Sequence, residues 1–366
     1  MFCKPTAPSI RQLSKFAALS LLWGLSSCGS APRTQSTDPG SANSNLSSAS
    51  PSPADRPLVV ATNTVVCDLT RQIAADTVNL KCLIDPGSDP HEYAPNPDDS
   101  KAIEQAGLIL YGGYNFEPVL IKLIKATSNP APKIAVDEAA VPNPQQFEED
   151  GKTEPDPHVF HSAANGAEMA KVIQQNLSQL LPDNASLYAV NARKVKDELT
   201  GIDTWIKFKI ATIPAAQRKL VTTHDAFGYY SKAYGIPVVG ALQGIGTEEK
   251  PTPSRVAALV KDIKTTGVPA IFAETTINPK LIDAVAKEAN VKVADRELFA
   301  DGLGEKGSPG DTYQNMLLSN TKTIVENLGG KYTPFPAKTS SRQTDSVRIA
   351  VVRPIDTRIA LPYKPQ

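Results

Sequence analysis

The sequence predicts an α/β protein of two lobes, each built on a parallel-rich sheet, joined by one long rigid helix. Short apolar, β-branched runs alternate with helical stretches twice over, once before residue 182 and again after residue 212. An unbroken helical stripe lies between the two halves, and 366 residues exceed what a single core usually holds.

The first lobe, placed at residues 57–182, opens with the run Leu58-Val59-Val60-Ala61-Thr62. A helix near Asp68 to Ala75 and a second run from Val78 to Ile84 complete a β-α-β rhythm. It continues through Gly107 to Tyr111, Lys133 to Val136 and a helix from about Ala164 to Leu180.

From Asp183 to Ile210 the apolar positions Tyr188, Ala192, Val195, Leu199, Ile202 and Ile206 recur every three or four residues, one face of a helix. Such a helix would be about 40 Å long, enough to run down the molecule as a linker over 183–212. The second lobe, 213–330, repeats the alternation. Its strands are expected at Lys219 to Thr223, Pro237 to Ala241, Ala270 to Ala273 and Val291 to Ala294. Its helices are expected at Ala226 to Tyr234, Ser254 to Thr265, Lys280 to Ala289 and Asp311 to Leu328. Residues 331–366 form an extension with a strand-like stretch from Val347 to Arg353, to which no role is assigned.

At the start of the chain, Lys4, Arg11 and Lys15 precede an apolar run from Phe16 to Leu25 that is too short to span a bilayer. The run ends in Leu25-Ser26-Ser27-Cys28-Gly29, which looks like a bacterial lipobox. Residues 1–27 are thus expected to be a lipoprotein signal peptide, and Cys28 the lipidated first residue of the mature chain. Residues 28–56 are rich in Ser, Ala, Pro, Thr and Asn and carry too little apolar surface to offset the entropy of folding, so they read as a disordered tether.

Lys+Arg and Asp+Glu are equal at 38 each, and removal of the signal leaves the mature chain mildly acidic. That balance lacks the basic excess a nucleic-acid partner requires. Of four cysteines, Cys3 leaves with the signal and Cys28 takes lipid. Cys67 and Cys82 remain, either as a disulfide suited to an oxidising compartment or as two small buried thiols.

Three of the four histidines, His91, His158 and His224, are spread widely, each just after an apolar run or in a turn-rich loop. Loops beyond the carboxyl ends of strands build ligand sites in open α/β sheets. His91 lies in Asp89-Pro90-His91-Glu92-Tyr93-Ala94-Pro95-Asn96-Pro97, where the prolines stiffen the loop. His158 lies in Asp156-Pro157-His158-Val159-Phe160, and His224 follows a strand directly in Thr223-His224-Asp225-Ala226-Phe227.

The segments Asp89 to Pro97, Asp156 to Phe160, His224 to Tyr230 and Phe299 to Tyr313 together resemble the zinc and manganese receptors of ABC importers, also called the lipoprotein adhesin family. The resemblance spans roughly residues 57 to 330. It implies a metal held between the lobes by His91 and His158 from the first and by His224 and Asp301 from the second. His224 stands where receptors resembling the manganese type often have glutamate. Three imidazoles and one carboxylate suit Zn2+, with Mn2+ as the alternative, because manganese prefers oxygen and sits at the weak end of the affinity order.

Two features depart from the family pattern. The stretch Phe147 to Asp156 is acidic without a histidine and reads as a solvated loop, and His161 replaces an aliphatic residue, as an extra ligand or a neighbour. Glu92, Asp225, Glu274 and Asp295 are candidates to orient the ligand histidines.

The implied function is that of an extracytoplasmic solute-binding protein, not an enzyme. Its expected partners are a membrane permease and, through the lipid anchor, the membrane surface; a monomer is expected. A zinc-dependent hydrolase would need an open metal position and a motif such as His-Glu-x-x-His, which the chain lacks. An adhesin or a receptor for a non-metal solute is the other alternative, with Tyr93, Phe160 and Phe227 as stacking surfaces.

Overall fold

The computed structural model describes residues 55–149, 152–248 and 250–336. These all belong to the larger of the chain's two units, Pro51–Gln366. The expected signal peptide, Cys28, nearly all of the tether and the stretch Val347 to Arg353 lie outside the described residues. No helix among the described residues is long and apolar enough to cross a membrane.

The first sheet is made of β1 (Leu58–Ala61), β2 (Asn79–Cys82), β3 (Leu108–Tyr111) and β4 (Lys133–Ala135), in the order β2-β1-β3-β4 and all parallel. Parallel neighbours need crossovers, supplied by α1 (Thr64–Ala74), α2 (Pro97–Gln105) and α3 (Pro118–Ala126). Helix α1 starts four residues before its expected position. Asn63 caps it, its side chain accepting from the Val66 amide at 2.9 Å, although the β-branched Thr64-Val65-Val66 reads as strand. The short α4 (Val136–Ala140) follows β4.

The acidic stretch expected to be a plain loop forms an antiparallel hairpin, β5 (Gln146–Glu149) with β6 (Lys152–Pro155). Helix α5 (Ala163–Leu180) then leads to α6 (Ala185–Ala211), the 27-residue linking helix. Of its expected stripe, Tyr188, Val195, Leu199, Ile202 and Ile206 are buried.

In the second lobe β7 (Leu220–Thr222) pairs with β8 (Val238–Ala241), and β9 (Ala270–Ile271) with β10 (Lys292–Val293), all parallel. The Phe272 amide donates to the Val221 carbonyl at 2.9 Å, which sets β9 beside β7. The arrangement β8-β7-β9-β10 thus repeats the order of the first sheet. Helices α7 (Gly228–Tyr234), α8 (Pro253–Thr266) and α9 (Lys280–Ala289) connect these strands, and α10 (Tyr313–Asn327) closes the lobe.

Separate apolar clusters fill the outer layers. Val60, Ile103, Ile109 and Leu120 pack beneath α2 and α3 in the first lobe. Val221, Leu259, Ile271 and Ile282 pack beneath α8 and α9 in the second. The largest cluster belongs to both halves, because the buried stripe of α6 meets Leu69 and Ile73 of α1, Leu177 of α5, Tyr230 of α7 and Leu317 and Ile324 of α10. One continuous core therefore lies behind both sheets. Residues 331–336 extend it: the Trp205 indole donates to the Thr333 carbonyl at 3.2 Å, and Tyr332 and Phe335 set their rings edge-on to Trp205.

Cys67 on α1 and Cys82 at the end of β2 form a disulfide with Cα atoms 5.7 Å apart. It ties a crossover helix to the edge strand it serves. Replacing both cysteines by serine is expected to lower the unfolding free energy by about 3 kcal/mol, the constraint a loop of this size places on the unfolded chain. Denaturant melts of wild type and C67S/C82S measure it; coincident curves would show that the bridge contributes nothing.

Candidate metal centre

The Asp-Pro-His tripeptide occurs twice, and each copy builds the same local turn. The aspartate carboxylate accepts the amide of the histidine two residues on: Asp89 Oδ1 from His91 and Asp156 Oδ1 from His158, both at 2.9 Å. Proline between them removes one donor and restricts the backbone. His91 thereby projects from the loop after β2, and His158 from the turn after β6 that leads into a 3₁₀ turn at Val159–His161.

The second lobe presents its residues differently. His224 leaves the end of β7, where Glu274 Oε1 accepts the amides of Thr223 at 2.9 Å and His224 at 3.1 Å. Asp301 lies in a loop pinned on both sides. Asn320 on α10 brackets Phe299, accepting its amide at 2.9 Å and donating to its carbonyl at 2.8 Å. Thr276 donates its hydroxyl to Asp301 Oδ2 at 2.7 Å.

These four side chains converge with ligand atoms within 4.8 Å of one another, all buried. Nε2 of His158 lies 3.3 Å from Nε2 of His91 and 3.4 Å from Nε2 of His224. Asp301 Oδ1 lies 3.6, 3.4 and 3.1 Å from Nε2 of His91, His158 and His224. A tetrahedron with its centre about 2.0–2.1 Å from each corner has edges of about 3.3–3.4 Å, so the donors frame a volume of that size. Asp301 Oδ1 is buried without a hydrogen-bond partner, which leaves it free to face a cation. Phe116 closes the wall, its ring edge-on to His91 at 5.1 Å and to His158 at 5.5 Å.

The far nitrogens of two imidazoles are tied to carboxylates. His158 Nδ1–H donates to Asp156 Oδ1 at 3.0 Å, and His224 Nδ1–H donates to Glu274 Oε2. Each bond fixes the tautomer that leaves Nε2 facing the centre and raises its basicity. Of the four orienting residues named from sequence, Glu274 takes that role. Asp156 was missed, though the repeated Asp-Pro-His was its signal. Thr276 was missed as well, and nothing local marks it.

Electrostatics of the metal-free protein follow from this crowding. Burial disfavours the imidazolium of His224, but the charges of Asp301 and Glu274 outweigh it and hold the pKa well above the usual histidine range. Burial disfavours the imidazolium of His158 as well, but its hydrogen bond to Asp156 and the nearby carboxylate of Asp301 overcome it and raise the pKa. Burial works against the Asp301 carboxylate, yet the surrounding histidines, His224 foremost, hold it well below the ordinary value. His161 is separate from the cluster. Its Nε2–H donates to the Ala300 carbonyl at 2.8 Å, and burial together with His158 pushes it down to about 3.

Two α/β halves on one linking helix, with a buried three-histidine, one-aspartate centre, define a protein built to enclose a divalent metal ion. The chain belongs to the family described as "Zinc-uptake complex component A periplasmic", whose pattern it matches over residues 59–327.

It is 36% identical over 278 residues to the manganese ABC transporter substrate-binding lipoprotein PsaA of Streptococcus mitis, covering 74% of this chain and 88% of that one. It is 34% identical to the metal ABC transporter substrate-binding lipoprotein ScbA of Streptococcus cristatus, over 83% of this chain and 94% of that one. Among solved structures, the periplasmic zinc binding protein TroA of Treponema pallidum superposes with a TM-score of 0.71 at 33% identity, covering 75% of this chain and 99% of that one. A manganese-bound periplasmic metal binding protein of Candidatus Liberibacter asiaticus does so at 0.67 and 26%, covering 75% and 100%. Of these four, two are described with manganese, one with zinc and one with no particular metal.

Two predictions follow from the carboxylates around the histidines. Glu274→Gln keeps the shape but removes the charge behind His224, and metal affinity should drop by about 10- to 100-fold in chelator competition; an unchanged affinity would deny Glu274 its role. Metal requires neutral imidazoles, and the raised pKa values of His158 and His224 mean that protons must leave as metal enters. Affinity should therefore rise with pH through and beyond the ordinary histidine range of about pH 5 to 8, with proton release on binding. Titration calorimetry in buffers of different ionisation enthalpy measures it; a flat profile contradicts it.

Proposed function

We propose that this chain is a lipid-anchored receptor that takes up one manganese ion between its lobes and passes it to the permease of an ABC importer. His91, His158, His224 and Asp301 are its ligands. The observation that carries the ligand set is the buried convergence of three Nε2 atoms and one unpartnered carboxylate oxygen. Cys28 holds the protein at the membrane, and the two halves bounded at residues 57–182 and 213–330 act as the jaws.

Manganese as cargo is supported by the descriptions of relatives more than a third identical to this chain. Zinc is the second reading, favoured by a nitrogen-rich donor set and by donor spacings that suit a four-coordinate ion with bonds near 2.0–2.1 Å. Affinity alone does not choose between them, because zinc outranks manganese at almost any such site. The metal offered outside the membrane decides which ion is carried.

Release works against a stiff body. Hydrogen bonds cross between the halves from Leu303 N–H to Thr64 Oγ1 at 2.9 Å, from Tyr313 N–H to Asp68 Oδ2 at 3.0 Å and from Thr247 Oγ1 to Asp89 Oδ2 at 2.6 Å. Behind them runs the shared core along α6. The permease must pull ligands of one half away from the other, with only small motions of the free receptor.

Radioactive uptake by cells with and without the gene tests the cargo. Loss of manganese uptake is expected, whereas loss of zinc uptake alone would assign the receptor to zinc. On the purified protein, zinc should bind more tightly than manganese, and His224→Glu should narrow that gap by roughly tenfold or more as an oxygen replaces a nitrogen. An unchanged ratio would remove His224 from the choice of metal.

A further inference from the structure

His161 is fully buried, is not one of the converging ligands, and yet touches the segments that carry three of them. It sits in the turn that follows His158. Its ring stacks on Phe227, three residues after His224, with centroids 4.4 Å apart at 27°. Its Nε2–H donates to the carbonyl of Ala300, the residue before Asp301, at 2.8 Å. The Phe160 ring packs against it as well, with centroids 4.8 Å apart.

A carbonyl accepts only from a protonated nitrogen, so the proton resides on Nε2; Nδ1 is buried with no partner. The ring therefore spends its one donor on the segment that presents Asp301. That segment has three holds: Asn320 at Phe299, His161 at Ala300 and Thr276 at Asp301. Asn320 and Thr276 come from the second lobe, as the segment itself does. His161 alone of the three reaches across from the first. The turn that carries it is braced by Tyr313, whose hydroxyl donates to the Phe160 carbonyl at 2.6 Å.

The geometry points to His161 as a positioning residue that couples the two halves of the metal centre and sets how long the ion stays bound. When the halves part, the His161–Ala300 hydrogen bond must break together with the bonds to the metal. Without it, the Asp301 segment is tied to the first lobe only beyond the carboxylate, at Leu303, whose amide donates to Thr64 Oγ1 at 2.9 Å and whose carbonyl accepts from the Gly87 amide at 3.2 Å, and Asp301 moves more freely relative to His158. This role rests on the ligand set proposed above.

The test compares His161→Leu, which keeps apolar bulk but has no donor, with His161→Gln, whose amide nitrogen can reach the position of Nε2. His161→Phe, which retains the ring stack, serves as a second donorless variant should the leucine protein not fold. Three quantities are read: the rate of metal release to a chelator, the visible absorption of the cobalt(II)-loaded protein, and the melting temperature of the metal-free protein. The donorless variants should release metal roughly tenfold faster, the worth of one buried hydrogen bond, with altered cobalt bands. His161→Gln should stay within about threefold of wild type, with wild-type bands.

Equal release rates for the glutamine and donorless variants would overturn the proposal. So would faster release with unchanged cobalt bands and a lowered melting temperature, the mark of a purely structural residue. Wild-type protein that takes up no metal would instead defeat the receptor reading itself.

Discussion

Everything in this protein turns on bringing one carboxylate and three imidazoles together where water does not reach. Burying a charge is costly unless it is paired, and burying polar atoms is costly unless they are bonded. The chain meets that cost atom by atom. Asp156 and Glu274 take the far nitrogens of His158 and His224, and Thr276 takes one oxygen of Asp301. What remains is a set of lone pairs and one unpartnered oxygen aimed at a common point. Burial disfavours charge on each of these groups, yet their mutual attraction outweighs it in the metal-free protein, so His158 and His224 are raised and Asp301 is lowered.

The fold supplies this convergence by repetition. Both halves use the same strand order, and both send ligand-bearing loops from the carboxyl ends of parallel strands toward the other half. The core that stiffens them is shared rather than split. Along α6, Tyr188, Val195, Leu199, Ile202 and Ile206 pack against helices of both halves. A joint of this kind stiffens the link between the halves that carry the ligand-bearing loops. His161 belongs to those loops, and its hydrogen bond to Ala300 joins them directly.

Helices were the most legible elements. Helix α9 coincides with its expected bounds, and α5 and α6 lie within two residues, because each carries a sustained apolar stripe. The hairpin of β5 and β6 was not legible, since its charged residues show no apolar alternation. Helices α2 and α3 were passed over for a related reason: both are short and begin at proline, which reads as a break although it suits a first turn. At the centre, the histidines stood out by scarcity and by their motifs, whereas Thr276 carries no mark in the chain.

By itself the sequence determined the α/β class and the linking helix, left the pairing of Cys67 with Cys82 as one of several readings, and offered His91, His158, His224 and Asp301 as ligands through the resemblance of its segments to a known family. These are written in periodicity, motif and residue type, which are local properties of a chain. Only the tertiary structure decided that Glu274 rather than Glu92, Asp225 or Asp295 stands behind a histidine, and that His161 turns toward Ala300 instead of joining the ligands. Those outcomes depend on which atoms meet across 50 and 139 residues of chain. Such meetings are settled by how two lobes pack around a common core, and no short stretch of sequence carries that information.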